Sequence, residues 1–249
     1  TYAEGIREGM RKKMLEDPNV FIFGEDVGKF GGCFGVTMGM FDEFGDKRVR
    51  DTPISEGAII GTAVGSAACG LRPIAELMFM DFVTVGMDQI VNQAAKLRYM
   101  TGGKITLPIV IRLPEGGGVS AAAQHSQSLE AWLTHVPGLK VVYPSNARDA
   151  YGLMISAIED DNPVIYIENK TLYATKSEVE DELKIVPLGK ASVKKEGTDV
   201  TIITYGRQVF NSLKASEDLA KDGINAEVID LRSLYPFDIE TIFKSVGKT

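Results

Sequence analysis

In RDTPISEGAIIGTAVGSAACG, residues 50–70, a single acid, Glu56, opens a run of small and apolar residues with Gly57, Gly61 and Gly65 behind it. Pro53 and Ser55 mark a helix start, which makes Ser55 the expected N-cap and places Glu56 in the first turn. One chemistry for that acid is modest: its charge complements the positive end of the helix dipole. The other is demanding. Glycines four apart leave one helix face bare, another helix or a subunit can approach it closely, and the carboxyl is then desolvated where it can share a proton with a ligand nitrogen.

His125 lies in PEGGGVSAAAQHSQ, a glycine-rich loop after a strand. Binding residues collect in such loops, and an imidazole there can exchange a proton near neutral pH; a structural role is the competing reading. His135, ahead of a proline turn, reads as a packing residue, and Phe82 in FMDFVTVG reads as a core aromatic. AIEDDNP (157–163) has the form of a helix end followed by a turn, although its carbonyl and carboxylate oxygens are also the donors a hard cation takes.

Several motifs are missing. The chain has no G-x-x-x-x-G-K-S/T phosphate loop, no strand-linked G-x-G-x-x-G, and no Gly-Asp-Gly with a downstream Asn for a magnesium diphosphate. GKFGGCFG (28–35) fits none of these spacings and reads as a flexible loop.

Around these residues the chain alternates β-branched runs with helical patterns. YAEGIREGMRKKMLED carries Ile6, Met10 and Met14 at helical spacing; VFIFGED, RPIAEL, LPIVIRLP, LKVVYP and NPVIYIEN read as strands. Residues 81–100 read as one helix, and NARDAYGLMISAIED as another with Asn146 as N-cap and Asp149 as its N3 acid. Strands apolar on both faces, each followed by a helix, predict an α/β fold with a parallel sheet covered by helices. The composition turns polar near residue 170. The predicted organisation is therefore a first domain over 1–170, a linker over 171–190 and a second α/β unit over 191–249. That unit shows two clear strands, DVTIITYG and INAEVIDLRSL, and two helices, the first ending at Gly223, so it is expected to continue past the last residue.

With 249 residues, 44% of them hydrophobic, the chain has material for a sizeable core. A net charge of −7 without a basic cluster argues against nucleic acid as a partner. Two isolated cysteines, Cys33 and Cys69, are too few for a disulfide framework, which fits a reducing, cytoplasmic compartment. No apolar stretch is long enough to span a bilayer. No signal peptide leads the chain, and its first residue is Thr, so at least one residue is expected ahead of it.

GEDVG, RDTPISE, CGLRPIAELMFMDF, DQIVNQAAKLRYMTGG, AAAQHSQS, HVPGLKVVYPSNARDAYGLM, DNPVIYIEN and DLRSLYPFD follow one another along the chain. In that order they resemble the β subunit of the thiamine-diphosphate-dependent first component of 2-oxo acid dehydrogenase complexes. The likeness covers residues 2–249. It is nearest to the acetoin dehydrogenase branch through GGCFGVTMGMF, AELMFMDF and NQAAKLRYM, with pyruvate dehydrogenase next.

The resemblance implies a pyrimidine-binding, transketolase-like domain followed by a transketolase C-terminal-like domain. It implies that Glu56 bonds a ring nitrogen of the cofactor's aminopyrimidine, that Phe82 stacks on that ring, and that Ile54 offers it a backbone contact. His125 would be the active-site histidine that serves acyl transfer to a lipoyl group. Ile109, Ala157, Ile158, Asp160 and Asn162 match positions that hold potassium in some members. The missing Gly-Asp-Gly would be supplied by an α subunit holding the diphosphate and magnesium, in a two-α, two-β assembly docked on a lipoyl acyltransferase core. Two other readings stand beside this one: the later half of a single-chain, transketolase-like enzyme, and a structural subunit that has lost the chemistry.

Overall fold

A computed structural model describes residues 1–179 and 184–249. Helix α1 (Tyr2–Glu16) begins with a reciprocal cap: the Thr1 hydroxyl accepts from the Glu4 amide while the Glu4 carboxylate accepts from Thr1. Its predicted stripe of Ile6, Met10 and Met14 is buried. Then follow β1 (Val20–Gly24), α2 (Met40–Phe44), β2 (Val49–Asp51), α3 (Glu56–Ala68) and β3 (Arg72–Glu76). After these come α4 (Val83–Asp88), α5 (Leu97–Met100), β4 (Val110–Glu115), α6 (Glu130–Thr134), β5 (Lys140–Val142), α7 (Ala147–Glu159) and β6 (Val164–Asn169). The later part holds β7 (Ser192–Lys195), β8 (Val200–Thr204), α8 (Gln208–Lys221), β9 (Ala226–Asp230), β10 (Ser233–Tyr235) and α9 (Ile239–Val246).

Seven strands form the main sheet in the order β10-β5-β6-β4-β3-β1-β2, all neighbours parallel except β10 against β5. Alternate residues feed two cores. Ile22, Ile74, Val110 and Val164 face α1 and α7, whereas Phe23, Ala75, Ile111 and Ile165 face α3 and α4. Burial on both faces is what the uniformly apolar strands predicted. The second sheet, β7-β9-β8, pairs β8 parallel and β7 antiparallel to β9. β7 was not expected from the sequence, and INAEVIDLRSL, read as one strand, is two, β9 and β10. The two units are tied by β10, which extends the main sheet, and by Asp149 of α7, which meets Lys194 at 2.7 Å and Arg232 at 3.1 Å. Burial opposes the Asp149 charge, but the two cations outweigh it and hold its carboxyl below the usual carboxylate range.

Several local expectations need correction. Residues 81–100 are not one helix. A 3₁₀ turn at Met80–Phe82 leads into α4, which widens into a π-helical stretch, Gln89–Ala94, before a turn at Lys96 and the short α5. The Ala95 amide bonds the Ile90 carbonyl five residues back, which is the widened step. The loop 28–35 is folded, not loose: Gly31, Gly32 and Gly35 adopt positive φ, and Phe34 stacks on Tyr173 with centroids 5.0 Å apart. His135 does not pack inside; it is exposed at the end of α6. Gly223 lies one residue past the C-cap Asp222 of α8, in the left-handed region at φ 79°. Within 171–190, residues 180–183 lie outside the described residues, whereas Leu172, Tyr173 and Val186 are buried against the first unit.

The bare glycine face of α3 does not make the tightest helix contact. A Cβ on Gly57 or Gly61 would meet its nearest neighbour at an ordinary 3.6 Å, and one on Gly65 would meet nothing within 4 Å. The close pair is α1 with α7, where a Cβ on Gly5 would fall 2.3 Å from the Ala147 carbonyl oxygen and one on Gly9 2.9 Å from Met154 Cβ. Gly5→Ala should therefore force the helices apart and lower stability by about 1–3 kcal/mol. Gly65→Ala, in open helix, should raise it by about 0.5–1 kcal/mol. Thermal unfolding of the two variants checks both signs, and equal shifts would show that the α1–α7 approach is not the constraint.

Candidate active site

The loops that leave the C-terminal ends of parallel strands bring the candidate residues to one edge of the sheet, where open α/β sheets form their clefts. β1 runs into Glu25, β2 into the TPIS turn and Glu56, β3 into Phe79 and Phe82, β4 into the His125 loop, and β6 into Lys170. The Thr52 amide bonds the Gly24 carbonyl at 2.9 Å, which fastens the TPIS turn to the end of β1.

Glu56 is the first residue of α3 and 6% exposed, yet its carboxylate makes no hydrogen bond or ion pair among the described residues. Ser55 occupies the N-cap position but its side chain does not cap; it turns instead toward an apolar cleft of about 600 Å³ lined by Phe21, Phe23, Pro53 and Ile59. Neither Glu56, Phe82 nor His125 lines that cleft. Beside Glu56 the structure places Glu25, which the sequence reading did not single out. Glu25 is 5% exposed, its Oε1 has no partner, and its carboxyl is pushed up by burial and then by the charges of Glu56 and Asp26. Ile54, two residues before Glu56, is 81% exposed.

Phe82 and His125 are in direct contact, ring centroids 5.4 Å apart and nearly perpendicular. Phe79 joins them: its ring lies 4.6 Å from that of His125 and 6.0 Å from that of Phe82, both edge-on, and 5.6 Å from Phe34. The cluster is linked to Glu56 through α4, because a Cβ on Gly86, one turn after Phe82, would lie 3.4 Å from the Glu56 carbonyl oxygen. Lys170, 5% exposed, holds its ammonium 4.9 Å above the Phe79 ring and donates to the His125 carbonyl oxygen.

The loop that carries His125 has Ser120 and Ala122 at positive φ, 56° and 65°. It is held from outside. The Asp81 Oδ1 accepts from the Gln127 amide (3.2 Å) and from its Nε2 (2.9 Å), while Asp81 Oδ2 is buried without a partner. Glu115, at the end of β4, accepts from Ser128 Oγ at 2.5 Å and from Asn169 Nδ2 at 2.7 Å, and also bonds the Tyr143 hydroxyl. Burial pushes the Glu115 carboxyl up to about 7 against the hydrogen bond from Ser128.

Ile109, Ala157, Ile158, Asp160 and Asn162 are gathered at the opposite edge, where β4 and β6 begin. Several of their oxygens already have partners within the chain. The Ile158 carbonyl accepts from Arg72 at 2.8 Å, the Asp160 carboxylate pairs with Lys140, and Asn162 Oδ1 accepts from Arg98 at 2.7 Å, so three fixed cations already face these oxygens. Among the described residues no group of three His, Cys, Asp or Glu side chains is placed to hold a metal.

The missed residues Glu25, Phe79, Asp81 and Lys170 each follow a strand end or precede a singled-out residue, and that position was the available signal. The sequence motif they share is weak, since each has an ordinary reading as turn or core.

Two family profiles account for most of the chain: transketolase, pyrimidine binding domain, over residues 1–176, and transketolase, C-terminal domain, over 189–249. The chain is 50% identical to the acetoin:2,6-dichlorophenolindophenol oxidoreductase β subunit of Cupriavidus necator, covering 98% of this chain and 75% of that one. It is 49% identical to the pyruvate dehydrogenase E1 β subunit of Rickettsia bellii, over 100% and 77%. It is 47% identical to the 2-oxoisovalerate dehydrogenase β subunit of Bacillus subtilis, over 100% and 76%. In fold it matches a split-gene transketolase solved as an inactive β4 tetramer, with TM-score 0.82 and 24% identity over 99% of this chain and 76% of that one.

Glu115 gives the site a pH dependence. Its folded pKa lies above the ordinary value of 4.5, so its protonated form favours the fold below about pH 4.5, and that contribution is lost as pH rises through about 7. The expected loss across this window is on the order of 2–3 kcal/mol. Glu115→Gln, which cannot ionise, should flatten the slope and be the more stable protein at pH 8. Chemical denaturation at pH 5 and pH 8 measures it, and parallel slopes for both proteins would remove Glu115 as the source.

Proposed function

The chain belongs to the β-subunit family of thiamine-diphosphate-dependent acetoin and 2-oxo acid dehydrogenases, and we propose that it supplies the pyrimidine side of a shared active site. We take residues 1–170 as the pyrimidine-binding unit, 171–190 as the connection and 191–249 as the C-terminal-type unit. The observation that carries the reading is the Glu56 carboxylate, largely buried near Glu25 and without a hydrogen bond or ion pair among the described residues. An unpaired buried acid is costly unless something completes it, and a ring nitrogen that takes a proton from it does so.

Thiamine diphosphate, when bound, brings the nucleophilic carbon and the electron sink that cleavage beside a carbonyl requires. Glu56 would hold a proton at a ring nitrogen, with Glu25 discouraging a second negative charge nearby. Phe82 would present a ring face to the aminopyrimidine, and Ile54 its exposed backbone. His125, edge-on to Phe82, would move a proton during acyl transfer to a lipoyl carrier. An α subunit would hold the diphosphate and magnesium, for which this chain has no Gly-Asp-Gly, within a two-α, two-β component on a lipoyl acyltransferase core. No step is routed through potassium; Arg72, Arg98 and Lys140 meet oxygens of Ile158, Asn162 and Asp160.

The substrate assigned first is acetoin, on GGCFGVTMGMF, AELMFMDF and NQAAKLRYM; identities of 50% and 49% to the acetoin and pyruvate relatives do not separate the two. We place the component in the cytoplasm; no helix among the described residues is long and apolar enough to cross a membrane.

The test is calorimetry of thiamine diphosphate with magnesium, on the chain alone and with its α chain. Tight binding is expected only with α, and tight binding by the isolated chain would end the shared-site reading. In the reconstituted component Glu56→Gln should keep the fold and lower turnover by at least about 10²-fold, the scale of a lost proton-transfer group. Near-normal turnover would remove Glu56 from its role.

A further inference from the structure

Resting on the reading of His125 just given, we propose that Lys170 is a positioning residue that fixes the His125 imidazole for acyl transfer. The residue stands directly after β6, two positions past the fully buried Glu168, so its backbone is as rigid as the sheet. From there a nearly buried ammonium donates to the carbonyl oxygen of His125 itself. That is its one hydrogen bond among the described residues, and the same ammonium lies over the Phe79 ring against which the imidazole packs. Lys170 therefore holds His125 from both sides, by its backbone and through the ring its side chain leans on.

The loop needs such a hold. Ser120 and Ala122 occupy left-handed backbone, which costs non-glycine residues on the order of 1–3 kcal/mol each and persists only where surroundings enforce it. Asp81 and Glu115 hold the loop at Gln127 and Ser128, on the far side of His125; Lys170 is the contact at His125. A simple space-filling role does not account for a charge here. Burial disfavours the ammonium and draws its pKa down, with the charges of Asp81, Glu115 and Cys33 acting the other way. A Met would fill the volume above Phe79 without that cost, but it could not donate to the His125 carbonyl.

The experiment uses the component reconstituted with its α chain and follows two reactions. Cleavage is measured with 2,6-dichlorophenolindophenol as artificial acceptor, and transfer with a lipoyl domain. Lys170→Met should lower kcat for transfer by about 10- to 100-fold, the scale of an ångström-sized misplacement, and reduce dye-coupled cleavage far less. Lys170→Arg, which can still donate, should recover most of the transfer rate. The double variant His125→Ala/Lys170→Met should transfer no more slowly than His125→Ala, because both changes remove one function.

Equal loss in both reactions, failure of Lys170→Arg to exceed Lys170→Met, or additive losses in the double variant would each overturn the inference. If Lys170→Met does not assemble, Lys170→Gln replaces it and the same comparison with Lys170→Arg decides. The two readings separate through His125→Ala alone. Normal transfer by that variant removes His125 from the chemistry; impaired transfer there with normal transfer by Lys170→Met overturns only the positioning role.

Discussion

At the centre of the main sheet, Arg112 of β4 is fully buried between Glu76 of β3 and Glu168 of β6. It meets Glu168 through two hydrogen bonds, Nε to Oε1 at 2.6 Å and Nη2 to Oε2 at 2.8 Å, and donates a third to Glu76. The Tyr173 hydroxyl adds a bond to Glu168 at 2.7 Å. Burial works against the guanidinium charge, but Glu168 and Glu76 outweigh it and hold the proton more tightly than water does. Such a group is poor evidence for net stability, because apolar residues of the same shape would be as favourable. What it enforces is register. A one-residue slip of β4 against either neighbour would turn Arg112 to the other face and bury three unpaired charges.

That constraint reaches the candidate site because Glu76 and Glu168 lie at or near the C-terminal ends of their strands and Arg112 pairs with both from mid-strand. Glu76 ends β3, and three residues later Phe79 begins the turn that presents Phe82. Arg112 is three residues before Glu115, which holds Ser128, and Glu168 is two before Lys170, which holds His125. The ion-paired centre thus sets the relative heights of three strand ends, and the aromatic and imidazole cluster inherits that alignment. Loops so placed can tolerate the left-handed Ser120 and Ala122, since rigid elements on three sides define where the strained segment goes.

Much of this was legible in the sequence, and what was not has physical reasons. The uniformly apolar strands gave the parallel sheet, and Asn146 caps α7 as its spacing predicted, accepting from the Asp149 amide at 3.0 Å. Strand β10 carried no separate signal because three residues have no period; its place is set by the partner β5. Gly5 and Gly9 have the same four-residue spacing that drew notice in α3, but only the presence of α7 makes them the tight contact. The spacing marks where a helix can approach and does not say that one does. At the site, Glu56 and His125 were singled out by type and setting, whereas Phe82 read as a core aromatic and entered only through the family resemblance. Phe79 and Lys170 were not singled out, because an aromatic before a turn and a lysine after a strand are common. Sequence also does not show the distant Arg72, Arg98 and Lys140 that meet oxygens of Ile158, Asn162 and Asp160.

Most of the buried acids of the fold are met by cations, and the Glu56 edge gathers several that are not. Glu76, Glu168, Asp149 and Asp160 are all largely withdrawn from water, and each has a cation within its own chain. Among the described residues Glu56 has none, and at the same sheet edge Glu25 Oε1, Thr52 Oγ1 and Asp81 Oδ2 are buried without hydrogen-bond partners, as Glu130 Oε2 and Glu227 Oε2 are elsewhere. Each such atom costs on the order of 1–3 kcal/mol, so a stretch of surface that gathers several is destabilised relative to one that does not. Folding alone offers no return for that arrangement. On the function proposed above, the return comes from what binds there: a donor-bearing ring joined by a second protein chain would satisfy several of these atoms together. A site with its carboxylates in place and their partners elsewhere is the form expected of one half of a shared active site.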